Sequence, residues 1–141
     1  MKEYVTWGNV ERFVLELADI SNTCNRQFDG VYGLPRGGLV IAVMVSHVLD
    51  IPLLSAPTTK SLIVDDICDS GESLLHYIKN TSSEYEEAKR PYIATIFWND
   101  NDLGIKPDFS MFKKKDRWIV FPWEKEQLLV DIDETERICH V

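Results

Sequence analysis

Apolar residues recur at helical spacing near the start of the chain, where Val10, Phe13, Val14, Leu17 and Ile20 fall on one side of a 3.6-residue repeat. Thr6 or Asn9 stands ahead of them as an N-cap, so the pattern predicts an amphipathic opening helix. The period then changes. Val31-Tyr32-Gly33-Leu34 reads as a strand, closed by the breakers Pro35-Arg36-Gly37-Gly38. Leu39 to Leu49 is apolar on nearly every side, as a helix buried against a sheet would be, and Asp50-Ile51-Pro52 stops it. Leu53-Leu54 reads as a short strand and Leu62-Ile63-Val64 as a buried one without alternation. Leu74 to Ile78 continues as a helix, Ile93 to Trp98 as a strand, and Trp118 to Phe121 as a later strand. Strands alternating with helices predict an α/β domain with a mostly parallel central sheet flanked by helices.

The remaining stretches carry less pattern. Asn80 to Lys89 is polar and reads as a surface connection, while Asn99 to Arg117 is rich in turn formers and charge. Glu124 to Val141 reads equally as a docking helix or a loose arm. A chain of 141 residues suits a single domain. Its 45% hydrophobic content is enough to bury a core without disulfide or metal staples.

Charge narrows the partner. The formal net charge is -8, and Lys and Arg are scattered apart from Lys113-Lys114-Lys115, which argues against a nucleic-acid partner. A small phosphorylated ligand remains compatible, because backbone amides and a helix dipole can hold a phosphate without a basic face. Cys24, Cys68 and Cys139 have no metal-ligand spacing and fit unpaired thiols in a reducing compartment. Met1 to Trp7 lacks the apolar core of a signal peptide, and the run Leu39 to Val45 is too short to cross a membrane. The expectation is a soluble, cytoplasmic protein with no membrane partner.

The chemistry concentrates in Ile63-Val64-Asp65-Asp66-Ile67-Cys68-Asp69-Ser70-Gly71-Glu72-Ser73. This stretch sets three aspartates and two hydroxyls between a buried strand and the start of a helix. Gly71 permits a close turn, the helix N-terminus presents N–H groups, and Ser70 and Ser73 add donors, a combination suited to a phosphate monoester. Asp65 and Asp66 suit a ribose diol or a hard divalent cation. A strand-to-helix turn with an Asp/Ser cap would use several of the same residues. Earlier in the chain, Gly33-Leu34-Pro35-Arg36-Gly37-Gly38-Leu39 places a permanent cation among glycines at a strand end, a composition that is also common in plain loops.

The longer stretch resembles the phosphoribosyl pyrophosphate (PRPP) signature of the type I phosphoribosyltransferases: a hydrophobic strand, two acidic residues, two variable positions, then Asp-Ser/Thr-Gly-x-Ser/Thr. The resemblance implies a Rossmann-like fold with a small hood formed by the C-terminal region. It divides the chain into a core of about residues 1–98 and a hood and tail of about 99–141. It implies that Asp65 and Asp66 meet the ribose hydroxyls and magnesium pyrophosphate, with Asp66 the metal residue. Asp69, Ser70, Gly71, Glu72 and Ser73 would wrap the 5′-phosphate. Arg36, Gly37 and Gly38 would hold the pyrophosphate, often through a strained peptide at Arg36–Gly37. Tyr4-Val5-Thr6-Trp7 and Arg117 to Glu124 are similar to the xanthine-guanine branch. There the aromatic matching Trp118 stacks on the purine, backbone at the Ile119 position meets its exocyclic group, and Asp69 lies at the imidazole edge. Asp69, Asp66 and Asp65 are thus the catalytic candidates, with Mg2+ as cofactor and a homo-oligomer as the expected assembly.

Two departures stand against that pattern. The family inserts a long loop before the PRPP motif that closes over the reacting centre, whereas only Ala56-Pro57-Thr58-Thr59-Lys60-Ser61 is present here. The purine branch also carries a lysine shortly after the strand Ala94 to Phe97, donating to the 6-oxo group, and Asn99 takes roughly that position. His47, His76 and His140 are isolated and read as structural or surface residues, and the Lys113 to Lys115 run as a solvated loop face or as part of the entrance to the base pocket. The leading expectation is transfer of the phosphoribosyl group from PRPP to a purine-type nucleobase with release of pyrophosphate. The alternative is a non-catalytic protein of the same fold that binds PRPP or a nucleoside monophosphate.

Overall fold

The computed structural model describes residues 1–24, 26–81 and 90–129. Strand β1 (Lys2–Tyr4) leads into helix α1 (Trp7–Thr23), then β2 (Val31–Gly33), α2 (Gly37–Leu49), β3 (Leu62–Cys68), α3 (Glu72–Thr81), β4 (Tyr92–Trp98), β5 (Phe109–Lys113) and β6 (Trp118–Val120). Four strands form an all-parallel sheet in the order β2-β3-β4-β5, and β1 and β6 form a second, two-stranded parallel sheet. The α/β class expected from the sequence is the one observed.

Side-chain alternation decides which helix covers which face. Val31, Leu62, Val64, Ala94 and Ile96 point to one side and pack with Val10, Phe13, Val14 and Leu17 of α1 and Ile41, Ala42 and Val45 of α2. Tyr32, Ile63 and Ile93 point to the other side, where Leu74 of α3 meets them. Both faces are therefore dry, which is why the strands read as continuous apolar runs. Burying a side chain the size of Phe13 contributes roughly 1.5–3 kcal/mol, and Phe13 is fully buried in this core. Val5, Ile119 and Phe121 join the same cluster, so the small sheet shares the core of the large one.

Local chemistry sets the ends. Thr6 caps α1 by accepting from the Asn9 amide at 3.1 Å, while Asn9 Oδ1 accepts from the Thr6 amide at 2.9 Å, a reciprocal capping box. Asp50 closes α2 in the left-handed region at φ 52°, a conformation Asp tolerates better than most residues.

Several expectations shift. The first strand, Lys2–Tyr4, lies where the sequence showed no alternation, and it is too short to show any. β5 falls in a stretch without clear periodicity, yet it is a full member of the main sheet, which therefore extends past Trp98. It is an edge strand, half-exposed along its length, so no buried stripe marks it. Asp108 anchors its start: the carboxylate accepts from the Ile93 amide at 2.8 Å and pairs with Arg90. Helix α2 is not buried on every side, since Leu39, Val43 and Val48 remain exposed. Residues 125–129 are helical, and Gln127 Nε2 donates to the carbonyls of Val5 and Val120 at 2.9 and 3.0 Å. The start of the C-terminal segment therefore docks on the small sheet. Its remainder, with Cys139 and His140, lies outside the described residues, as does most of the Asn80 to Lys89 connection. None of the described helices is long and apolar enough to cross a membrane.

Candidate active site at the carboxyl edge of the sheet

Because the four main strands are parallel, every loop that leaves their carboxyl ends emerges on one edge. This is where open α/β sheets hold ligands. Strand β3 is longer than the apolar run Leu62 to Val64 suggested and extends to Cys68, so Asp65 and Asp66 belong to the strand instead of following it. The sequence pattern missed this because carboxylates end a hydrophobic run, but the backbone ladder continues: Asp65 is still in register with Thr95 of β4.

The Asp65 side chain is mostly buried. Its carboxyl is raised to about 8, first by burial and then by the neighbouring Asp66 charge. Asp65 Oδ1 accepts from the Asp66 amide at 2.8 Å, and Asp66 Oδ1 accepts from the Ile67 amide at 2.7 Å. Gly38 lies against the same strand; a Cβ there would sit 2.6 Å from the Val64 carbonyl oxygen and 3.2 Å from Asp65 Cα. Only glycine lets the start of α2 approach β3 this closely. The peptide bond in this loop that departs from trans is Pro35–Arg36, one position before the Arg36–Gly37 bond named from the resemblance.

Beyond β3, the turn Asp69 to Gly71 leads into α3. Gly71 adopts φ 82°, a region that favours glycine, and the Glu72 amide donates to Ser70 Oγ at 3.3 Å. Asp65, Asp69, Ser70, Gly71 and Ser73 line a small cavity of about 180 Å³. Glu72 is exposed and does not line that cavity; with Asp69, Ser70, Asp100 and Asp102 it borders an adjoining hollow.

A larger cavity of about 660 Å³ opens between the two sheets. It is lined by Arg36, Gly37, Val40 and Asp66 from the main-sheet edge and by Trp118, Val120 and Trp123 from the small sheet. Glu124, Lys125 and Glu126, where the C-terminal segment begins, complete the wall. Glu126 is tied to β1 by Lys2 and Tyr4 at 2.8 and 3.0 Å. Trp118 is 68% exposed, which excludes a core role for it, whereas Phe121 and Trp123 stack on each other at 5.0 Å. Ile119 is buried behind Trp118.

The strand register creates a third cluster. Cys68, Trp98 and Lys113 stand side by side across β3, β4 and β5, so the residues that follow them, Asp69, Asn99 and Lys114, leave the sheet together. Asn99 Nδ2 donates to Asp69 Oδ1 at 3.1 Å and Lys114 Nζ to Asp69 Oδ2 at 2.9 Å. These donors, Lys114 first, hold the Asp69 carboxyl below its ordinary range. The Lys113 to Lys115 run is therefore not simply a solvated face. Nothing in a run of three lysines marks the middle one; only the register of β5 singles it out.

The short connection before β3 lies elsewhere. Leu53 bridges Val31 and Leu62 pairs with Val31 as well, so Ala56 to Ser61 starts and ends at the amino edge of the sheet, opposite these cavities. Thr58 and Ser61 bond to each other and Thr58 to Asp29, folding the connection into a tight turn there. Lys60 is exposed on that far edge. His47 and His76 are exposed too.

No protein-family model matches the chain. Among curated relatives, the xanthine-guanine phosphoribosyltransferase of Cereibacter sphaeroides is 27% identical over 150 residues, covering 86% of each chain. The crystal structure of a purine phosphoribosyltransferase from Pyrococcus horikoshii superposes with a TM-score of 0.71 at 32% identity, covering 88% of this chain and 94% of that one. The Helicobacter pylori xanthine-guanine-hypoxanthine phosphoribosyltransferase shares the fold at a TM-score of 0.73 and 20% identity, over 93% of this chain and 99% of that one. With that identity across nearly the whole length, and with both sequence signatures on the carboxyl edge of the sheet, the chain belongs to the type I phosphoribosyltransferases, in their xanthine-guanine branch.

Proposed function

We propose that this protein transfers the phosphoribosyl group of PRPP to a purine-type nucleobase, releasing pyrophosphate. The observation that carries this reading is the 660 Å³ cavity, in which the Arg36–Gly37 loop and Asp66 face the exposed indole of Trp118. A phosphate-binding edge and a flat aromatic face are what a reaction between PRPP and a planar base requires.

In this scheme Arg36, Gly37 and Gly38 bind the pyrophosphate, and Ser70 to Ser73 bind the 5′-phosphate at the N-terminus of α3. The base stacks on Trp118, backbone at Ile119 meets its exocyclic group, and Asp69 with Asn99 faces its edge. A ring nitrogen forms the new bond to C1′ of the ribose while the bond from C1′ to the pyrophosphate oxygen breaks, its electron pair leaving with pyrophosphate. The ring N–H proton passes to the Asp69 carboxylate, which faces that edge. Asp65 and Asp66 hold the ribose hydroxyls. Asp66 suits magnesium, because Oδ2 remains for a hard cation once Oδ1 has accepted the Ile67 amide. Among the described residues there is no cluster of three metal-ligating side chains. That fits an ion carried largely by substrate phosphates, which would supply charge neutralisation for the leaving pyrophosphate.

One observation favours a second reading, binding of PRPP or a nucleotide without transfer: the connection that would form a lid sits at the opposite edge of the sheet. Incubation with magnesium-PRPP and a panel of nucleobases separates the two. Transfer predicts nucleotide product with one or more purines, whereas saturable PRPP binding without product from any base leaves the second reading. A single domain, a homo-oligomer and a cytoplasmic location complete the proposal; sedimentation velocity tests the assembly.

A further inference from the structure

We propose that Asn101 is a positioning residue that locks the connection after β4 onto Gly71 and so holds the turn Asp69 to Ser73 in shape for a 5′-phosphate. The inference rests on the reading that this turn takes the phosphate, and it adds a residue that lies outside both sequence signatures.

The Asn101 side chain is spent on backbone. Its Nδ2 donates to the carbonyls of Asn99 and Ile105 at 3.2 and 2.7 Å, and its Oδ1 accepts from the Ile105 amide at 2.9 Å. A side-chain amide sets donors beside an acceptor, so it can pair with both backbone groups of Ile105 at once; a carboxylate, which only accepts, cannot. The Gly104 amide donates to the Asn101 carbonyl at 3.2 Å, with Gly104 at φ 65°. Residues 101–105 are thereby tied into a closed loop.

That loop is pressed against the phosphate turn. A Cβ placed on Gly71 would stand 2.8 Å from Ile105 Cβ and 3.3 Å from Asn101 Oδ1. Gly71 is therefore glycine for two reasons, its φ of 82° and the loop that fills the space a side chain would need. Cys68 Sγ, just before the turn, lies 3.8 Å from the Ile105 carbonyl oxygen, and Ile105 packs on the buried cluster that includes Leu74 of α3. The turn is braced from its beginning to the first turn of its helix. Amides that hold a phosphate must converge on one point, so a shift at Gly71 would disperse them.

The effect is confined by topology. In the order β2-β3-β4-β5, the connection after β4 lies on the far side of β3 from the Arg36 loop that follows β2. Asn101 lines the hollow outside Asp69 and Ser70 and not the 180 Å³ cavity, so it acts through the turn without touching the ligand.

Calorimetric titration with two probes separates this role from a general loss of structure. Ribose 5-phosphate fills the phosphate turn, and magnesium pyrophosphate fills the Arg36 side. Asn101→Ala is expected to weaken ribose 5-phosphate binding by about tenfold or more, while magnesium pyrophosphate affinity stays within about twofold. Asn101→Asp keeps the acceptor for the Ile105 amide and loses both donations, so its loss should fall between wild type and Asn101→Ala. Ile105→Ala removes the side chain that leans on Gly71 and leaves the backbone bonds to Asn101, and it should weaken ribose 5-phosphate in the same selective way. That variant carries the test if Asn101→Ala does not fold. Equal loss of both probes, or ribose 5-phosphate affinity unchanged in Asn101→Ala and Ile105→Ala, overturns the assignment. A wild type that binds pyrophosphate but not ribose 5-phosphate overturns it together with the reading of the turn beneath it, so the two failures are distinguishable.

Discussion

Gly37 lies directly against the Asp66 carboxylate: a Cβ placed on Gly37 would stand 2.6 Å from Asp66 Cγ. The obstacle is the end of a side chain, which can swing aside. Gly37→Ala should therefore fold with a loss of only about 1 kcal/mol, while displacing the carboxylate assigned to magnesium-PRPP. PRPP affinity, read by calorimetry, should fall about tenfold or more. Gly38→Ala meets the Val64 carbonyl at 2.6 Å instead, and backbone cannot step aside. Its cost should appear in thermal stability, at roughly 1–3 kcal/mol.

Asp65 gives a pH signature. Its folded carboxyl is raised to about 8 by burial and by Asp66, whereas an unfolded chain releases that proton near the ordinary carboxylate value. The folded state therefore holds the proton more tightly. The resulting contribution to stability is fully present below about pH 4 and is lost as pH rises toward about 8, with a slope of at most ~1.4 kcal/mol per pH unit. Asp65→Asn, which cannot ionise, should gain stability relative to the wild type across that window. Denaturant melts at several pH values check this, and a gap that does not widen with pH contradicts it.

Trp118 is exposed, so its removal should cost the fold little. Stacking of a base on an aromatic ring is worth about 1–3 kcal/mol. Trp118→Ala should raise KM for the nucleobase by roughly 5- to 150-fold at that energy, with the melting temperature nearly constant. A large loss of stability with unchanged KM would return Trp118 to a structural role.

Much of this arrangement was legible in the residues, and the exceptions have physical causes. The buried strands announced themselves because both faces of the sheet are covered, and the phosphate turn did so because Asp69 to Ser73 combines glycine with short polar side chains. β5 was not legible: an edge strand with half-exposed residues has no periodic stripe to read. The pairing of Asp69 with Lys114, 45 residues apart, depends on strand register, which no local pattern encodes. The place of Ala56 to Ser61 likewise follows from the bridge between Leu53 and Val31 and not from composition.

That connection yields a negative prediction. Lys60 sits on the edge opposite the cavities, so Lys60→Ala should change turnover by no more than about twofold, the range of an ordinary surface substitution. A much larger fall in kcat would mean that the segment reaches the reacting centre during the cycle.

The most direct measurement is the stoichiometry of product formation with magnesium-PRPP and the preferred purine, pyrophosphate and nucleotide being quantified in the same sample for the wild type and Asp69→Asn. The account predicts one pyrophosphate for each nucleotide and a fall of about a hundredfold or more in the rate for Asp69→Asn. Pyrophosphate released without nucleotide, or PRPP bound tightly and never consumed in the presence of any base, would contradict the transfer reaction.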